Sequence, residues 1–304
     1  MPTAAAPPAL SVVIASVNGW DVLGPTLDAL DSLPERDRLE IVVVDVVGGE
    51  TRDRLRSHWP RVELIEVDDA ARPGIPALRF RGVRRSRGAL VAMIEDHGTV
   101  DPGWAGALIE AHRDPTLGAV GGAVENGRVG LVNWAAFFCE YTPYMAPVVE
   151  GDHADLPGNN IAYKRPHLLR HAGELERGRW ESWINDRLRA DGVRLASTNA
   201  AVVRHIKPFG LVHFLVQRFH FARSFAGMRR ADQSAATRVV YGLGSLALPV
   251  LLLFRVTRTA MAKRRHVGRF LAAVPLIALF FAVGAVGEML GYLFGPGKSL
   301  ARVE

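Results

Sequence analysis

The feature that most constrains this chain is an alternation in its first 120 residues. Short β-branched runs, LSVVIA at 10–15, LEIVVVD at 39–45, RVELIEV at 61–67 and ALVAMI at 89–94, are separated by amphipathic stretches at 20–32, 50–58, 74–86 and 102–112. The runs are continuously apolar and lack the polar alternation of a one-sided sheet. They read as strands buried on both faces, and the stretches between them as the helices of parallel βαβ units. Asp101-Pro102 is placed to start the fourth helix as cap and first residue. Residues 121–205 are less regular: glycine-rich turns, an aromatic run at 134–144, and a helical segment at 180–190 ending at Asp191-Gly192. They predict a mixed α+β half.

Of the 304 residues, 49% are hydrophobic and 22% charged, too apolar for a disordered chain. The lone cysteine, Cys139, excludes an intramolecular disulfide framework and a Cys-rich zinc module. Residues 1–9 have neither a basic start nor a long apolar run, so they read as a disordered lead, and the body is expected in the cytoplasm. Charge is split. Residues 1–205 carry 23 Lys and Arg against 28 Asp and Glu, whereas 206–304 carry 14 against 3. The basic tail also holds two uncharged apolar segments, 239–254 and 270–287, the second continuing past Glu288 to Phe294. The second reaches membrane-spanning length; the first is short and contains Pro249. Arg255, Arg258, Lys263, Arg264, Arg265 and Arg269 lie between or beside them and suit anionic lipid headgroups. In a two-helix hairpin on a cytoplasmic body they would lie outside, against the positive-inside bias, so an interfacial or re-entrant placement stays open. Basic residues alternating with apolar runs do not make a soluble basic face, and no nucleic acid is expected as partner.

In a parallel α/β sheet, ligands bind beyond the carboxyl ends of the strands. Ser16-Val17-Asn18-Gly19 follows the first run, Asp45 closes the second ahead of Gly48-Gly49, and Glu95-Asp96-His97 closes the fourth. An acidic rim of this kind can hold a divalent cation, and the cation a diphosphate. The first strand leads to no G-x-G-x-x-G turn and the P-loop pattern is absent, which sets aside a dinucleotide oxidoreductase and a P-loop NTPase.

The order and spacing of SVVIASVN, EIVVVD with its glycine turn, GIPALRFRGVRRSRGALVAMIEDH, DPGW, PGNNIAYKR, WESWINDRL and VRHIKPF resemble the family 2 glycosyltransferases of the GT-A fold, over about residues 10–210. The resemblance implies a Rossmann-like, mostly parallel sheet with flanking helices, a nucleotide-binding half at 10–120 and an acceptor half at 121–210, followed by a helical membrane-associated tail at 211–304. It implies that Ala15, Val17 and Asn18 line the nucleotide pocket and that Asp45 accepts hydrogen bonds from the base, typically uracil. Arg79 falls where the family has a basic residue near the donor. Glu95-Asp96-His97 takes the place of the family's Asp-x-Asp, with Asp96 at the ribose and all three residues near the metal–diphosphate. Gly158, Asn159, Asn160 and Trp180 fall near the donor sugar and acceptor. Glu181 falls at the general base and His205 at a further metal or diphosphate contact.

The departures have physical content. Asp45 is followed by valine, the triplet ends in histidine, and the Glu-Asp pair of the family is Trp180-Glu181. Histidine binds Mn²⁺ or Zn²⁺ well and Mg²⁺ poorly, so His97 either ligates a cation (Mn²⁺ or Mg²⁺ in the family) or, protonated, neutralises the diphosphate itself. Glutamate at 181 keeps the carboxylate that a general base needs. The implied activity is transfer of a sugar from a nucleotide-sugar donor, UDP-linked, to a lipid-linked or cell-envelope glycan acceptor, inverting, by one in-line displacement. The setting is the cell membrane, with the catalytic domain facing the cytoplasm. The alternative is a degenerate, membrane-anchored binding module on the same fold.

Overall fold

The computed structural model describes residues 7–69, 73–231 and 233–303. The chain divides into two compact units: the residues up to Glu125 with Tyr144–Ile206, and Asn126–Pro143 with Lys207 onward. In chain order the elements are β1 (Leu10–Ser16), α1 (Trp20–Asp31), β2 (Leu39–Asp45), α2 (Glu50–His58), β3 (Glu63–Glu66), α3 (Ile75–Arg85), β4 (Leu90–Glu95), β5 (Gly98–Val100), α4 (Trp104–Ala111) and β6 (Leu117–Asn126). Then come α5 (Leu131–Tyr141), β7 (Gly151–Asp152), β8 (Asn160–Lys164), α6 (Arg165–His171), α7 (Gly173–Glu176), α8 (Glu181–Ala190) and β9 (Arg194–His205). The second unit is completed by α9 (Leu211–Arg230), α10 (Ala235–Gly244), α11 (Leu248–Lys263) and α12 (Val267–Phe294).

One sheet runs through the first unit in the order β3-β2-β1-β4-β8-β6-β9-β5, with β7 on β9. The four runs read from the sequence are its parallel part. Every residue of β1 and β2 is buried because helices cover both faces. Leu23, Leu27 and Leu30 of α1 and Trp104 and Leu108 of α4 pack on one face; Val83 of α3, Leu168 of α6 and Ile184 and Leu188 of α8 pack on the other. Each such side chain contributes about 1.5–3 kcal/mol on burial. The parallel pattern stops at β4. Strand β8 runs antiparallel to β4, and β6 antiparallel to β8, so the sheet is mixed.

Two local expectations change. The fourth helix begins at Trp104, not at Pro102. Among the described residues no side chain caps α4, and the Asp101 carboxylate is instead turned to Arg204, whose Nε and Nη2 donate to it at 2.8 and 3.0 Å. Of the lead expected at 1–9, residues 1–6 lie outside the described residues. Ala9 N–H donates to the Arg38 carbonyl at 2.9 Å, and the Pro8 carbonyl accepts from Ala89 N–H at 3.3 Å, so these two residues are held against the sheet.

Asn160 at the start of β8 knits the antiparallel half together. Its Nδ2 donates to the carbonyls of Ala123 (2.8 Å) and Ala201 (3.0 Å), and its Oδ1 accepts from Trp104 Nε1 at 2.9 Å. Gly122 leaves room for this bridge: a Cβ there would stand 2.0 Å from the Ala201 oxygen and 2.3 Å from Asn160 Nδ2.

In the second unit, α9 lies parallel to α12. The Phe214 and Phe280 rings are 4.5 Å apart, and a Cβ on Gly287 or Gly291 would strike the carbonyls of Phe219 and Arg223 at 2.4 and 2.5 Å. Gly287 and Gly291 are four apart, the spacing that lets two helix backbones touch. Ala235–Lys263 forms a second long apolar run, antiparallel to α12 through the short connector at 264–266, with Tyr241 and Tyr292 rings 5.6 Å apart. The run has 29 residues and α12 has 28, each long and apolar enough to cross a bilayer. Val240, Val250 and Phe254 present apolar surface outward. The connector packs on α5: the His266 and Trp134 rings are 4.6 Å apart, Arg269 sits 4.7 Å over the Trp134 ring, and Lys263 Nζ donates to the Pro143 carbonyl at 3.0 Å. The aromatic run around Cys139 is therefore packing.

Candidate active site

The parallel register sets three strand ends level. Ala15 lies opposite Glu95, and Ser16 opposite Asp45. The loops that leave these ends are then tied together by side chains.

Asp96 is the central tie. Its Oδ2 accepts from the backbone N–H groups of Val17 and Asn18, both at 2.8 Å, and its Oδ1 from Asn18 Nδ2 at 2.8 Å and His97 Nδ1 at 2.7 Å. Burial would raise its carboxyl; the hydrogen bonds from His97, Val17 and Asn18 outweigh that and hold it below the usual range. Thr26 of α1 donates to the Asp96 carbonyl at 2.9 Å.

His97 lies between two carboxylates. Its Nε2 is 3.2 Å from Glu95 Oε2 and its Nδ1 2.7 Å from Asp96 Oδ1. Burial favours the neutral ring, but Glu95 and Asp96 override it and push the imidazolium up to about 9. Burial likewise opposes the charge on Glu95, while His97, His205 and Arg79 hold its carboxyl well below the usual range. His205 arrives by strand pairing: it lies opposite Gly98 in the β5–β9 ladder, and its ring meets that of His97 edge-on at 4.6 Å.

Glu95, His97 and His205 each offer a ligand atom, and the three atoms lie within 4.8 Å of one another. Ligand atoms about 2.0–2.2 Å from a shared ion lie at most about 4.4 Å apart, so a small inward shift of these side chains would close them on one ion, and two imidazoles with one carboxylate suit Mn²⁺ or Zn²⁺. Asp96 stands outside this group, its oxygens committed to the loop at 17–18. The donor set fits a divalent cation, at the cost of one proton on His97. Mn²⁺ affinity is therefore expected to rise by up to about tenfold per pH unit from pH 6 toward 9, with one proton released per ion. Calorimetry in buffers of different ionisation enthalpy checks the proton count, and a flat profile would contradict the arrangement.

The second wall joins the first through Asn159, whose Nδ2 donates to Glu95 Oε2 at 3.2 Å. Beside it, Arg79 Nη1 stands 2.7 Å from Glu181 Oε1, both side chains 3% exposed. Glu181 is the first residue of α8, and Trp180 before it packs against the small cluster of Ala15, Val44, Val67, Ile75 and Leu78. A Cβ on Gly158 would meet Glu181 Oε2 at 2.7 Å. Asn160 is turned away, into the sheet. Asp45 is fully buried: Oδ1 accepts from Ser16 Oγ at 2.8 Å, and Oδ2 from Gly48 N–H at 2.8 Å and Arg52 Nε at 2.9 Å.

Sequence reading missed Arg52. It bridges Asp45 to Asp68 (2.7 Å) and Glu66 (3.3 Å), and its Nη2 reaches the carbonyls of Asp45 and Val67 at 3.2 and 3.1 Å. Nothing in ETRDRL marks it among arginines of one type; the fold alone selects it.

The mixed α/β sheet, with its cleft at the parallel strand ends, is of the GT-A fold class, which its solved structural neighbours share. The sequence pattern of Glycosyl transferase family 2 matches residues 11–168, and the chain belongs to that family. Among curated proteins, the glucosyl-dolichyl phosphate glucuronosyltransferase of Haloferax volcanii is 30% identical over 149 residues, 44% of this chain and 45% of that protein, so less than half of its length is matched. Among solved structures, the mannosyltransferase PcManGT of Pyrobaculum calidifontis, in complex with GDP-Man and Mn²⁺, superposes with a TM-score of 0.58 at 19% identity, over 93% of this chain and 88% of that one. GalNAc-T7 with UDP, GalNAc and Mn²⁺ superposes with a TM-score of 0.52 at 17% identity, over 68% and 45%. These likenesses carry the fold.

Proposed function

We propose that the chain transfers a sugar from a nucleotide-linked donor, UDP-linked by preference, to a hydroxyl of a lipid-linked acceptor at the cell membrane, with inversion. The observation that carries this is the joining of two walls: Glu95, His97 and His205 on one side and Arg79 and Glu181 on the other, bridged by Asn159. The Haloferax relative's name supports a lipid-phosphate-linked acceptor, and the Mn²⁺ with sugar nucleotides in the solved neighbours supports the donor and the ion.

Glu95, His97 and His205 would hold the cation, which supplies charge neutralisation for the departing diphosphate. Asp96 fixes the loop at 17–18 that faces the nucleotide. The acceptor oxygen forms its bond to the anomeric carbon as that carbon's bond to the diphosphate breaks. The electron pair leaves with the nucleoside diphosphate, and the acceptor's proton passes to Glu181. One displacement from the opposite face inverts the carbon. Apolar runs 235–263 and 267–294 would keep the chain at the lipid surface where such an acceptor lies, with the catalytic unit on the cytoplasmic side and the product destined for envelope glycans.

The test is the full chain in detergent with Mn²⁺, a panel of UDP- and GDP-sugars and a membrane lipid extract. The expected result is label in the lipid fraction with UDP-sugar, dependent on Mn²⁺ and lost on chelation. No transfer, together with no calorimetric binding of UDP or GDP, would favour the degenerate binding module.

A further inference from the structure

The proposed reaction asks Glu181 to accept a proton, yet its carboxylate is already engaged. Arg79 and Glu181 form an ion pair at 2.7 Å, with 3% of each side chain exposed. Two such charges stay buried because each neutralises the other. Gly158 closes over the pair: a Cβ there would lie 2.7 Å from Glu181 Oε2 and 3.8 Å from Arg79 Nη1. Glu95, one member of the group that could hold the ion, is the next electrostatic partner of Arg79 after Glu181. Its Nε is buried and has no hydrogen-bond acceptor among the described residues. A guanidinium with an idle, desolvated donor beside a cation centre is arranged to take a second anionic oxygen.

We propose that Arg79 is a positioning residue shared between Glu181 and the donor's diphosphate. Resting on the functional reading above, it deepens that reading into an order of events. Without donor, Arg79 occupies the carboxylate, and a carboxylate committed to a guanidinium accepts a substrate proton poorly. A nucleoside diphosphate offers several charged oxygens and competes for the same planar fork. Glu181 is released to serve as base once the donor is in place. The acceptor hydroxyl then reacts second, and water entering an empty site meets no free base. No bond is made or broken in this exchange; one ion pair replaces another.

The experiment needs neither the true sugar nor the true acceptor. UDP and GDP, each with Mn²⁺, are titrated calorimetrically into the full chain in detergent, as wild type, Glu181→Gln, Arg79→Met and the double variant. Removing the competing carboxylate is expected to tighten nucleotide binding by about fivefold in Glu181→Gln, and removing the guanidinium to weaken it by about tenfold or more. In the Arg79→Met background the change at 181 is expected to shift affinity by less than about twofold, because the residue it freed is gone. A purely structural pair predicts the opposite sign at 181, since breaking it loosens the site. Thermal melts confirm folding. Should Glu181→Gln not fold, Glu181→Asp draws the carboxylate back by one methylene and is expected to tighten binding to a smaller degree. Unchanged or weaker binding in the folded variant overturns the inference and leaves the functional reading standing. A wild-type chain that binds neither nucleotide overturns both.

Discussion

Glutamine at position 181 is expected to lower kcat for sugar transfer by about 10²–10⁴-fold, the range lost with a general base. Glutamine keeps the size of the side chain at the start of α8, so the packing of Trp180 and Gly158 around it is retained. What is lost is the ability to carry away the acceptor's proton. Initial rates at saturating donor and acceptor isolate the chemical step from the affinity change. The size of the effect also reports the acceptor. A hydroxyl must be deprotonated as it attacks, whereas a lipid phosphate is already anionic. A kcat within about threefold of wild type would remove Glu181 from proton transfer and point to a phosphate acceptor.

Alanine at position 122 is expected to cost stability on the order of 2–4 kcal/mol, because the added carbon collides with the Ala201 backbone, which cannot turn aside, and with an Asn160 amide held there by its own hydrogen bonds. The contact at 2.0 Å is with the Ala201 carbonyl, and the next, at 2.3 Å, is with the Asn160 amide that bonds that carbonyl. Relief requires β6 and β9 to part, which unpairs Asn160 in a buried place. The melting temperature should fall by roughly 5–10 °C. A variant that melts within about 1 °C of wild type would show that the antiparallel half yields more easily than this packing implies. The site would feel the change as well, since Asn160 adjoins Asn159 and, through it, Glu95.

The parallel half of the sheet was legible because burial on both faces writes itself as unbroken Val and Ile, and the ends of those runs located Asp45 and Glu95. Helix α8 was legible from periodicity and from Gly192, whose φ of +75° suits glycine. Direction in the antiparallel half was not, because a short apolar strand such as Asn160–Lys164 carries no mark of the sense in which it runs. Asn160 shows the same limit within a motif. The sequence places it beside Asn159, but Asn159 sits in the turn ahead of β8 and Asn160 opens the strand, so the two amides have different duties, one to Glu95 and one into the sheet. In the tail, composition located the apolar runs, but the parallel course of α9 beside α12 depends on Gly287 and Gly291, which read in sequence as ordinary small residues. Arg52 and the engagement of Glu181 by Arg79 are products of tertiary burial, which no local pattern announces.

His205 reaches Glu95 and His97 only through the pairing of β5 with β9, about a hundred residues apart. A nascent chain that has emerged through β8 already holds Glu95, His97 and the parallel core, yet the group lacks its third member until β9 docks. The segment that follows within about thirty residues is the first apolar run, starting at Ala235. In synthesis, completion of the Glu95–His97–His205 group therefore falls close to the emergence of the first long apolar run, and a polypeptide released before β9 would hold the parallel core without His205 and without either apolar run.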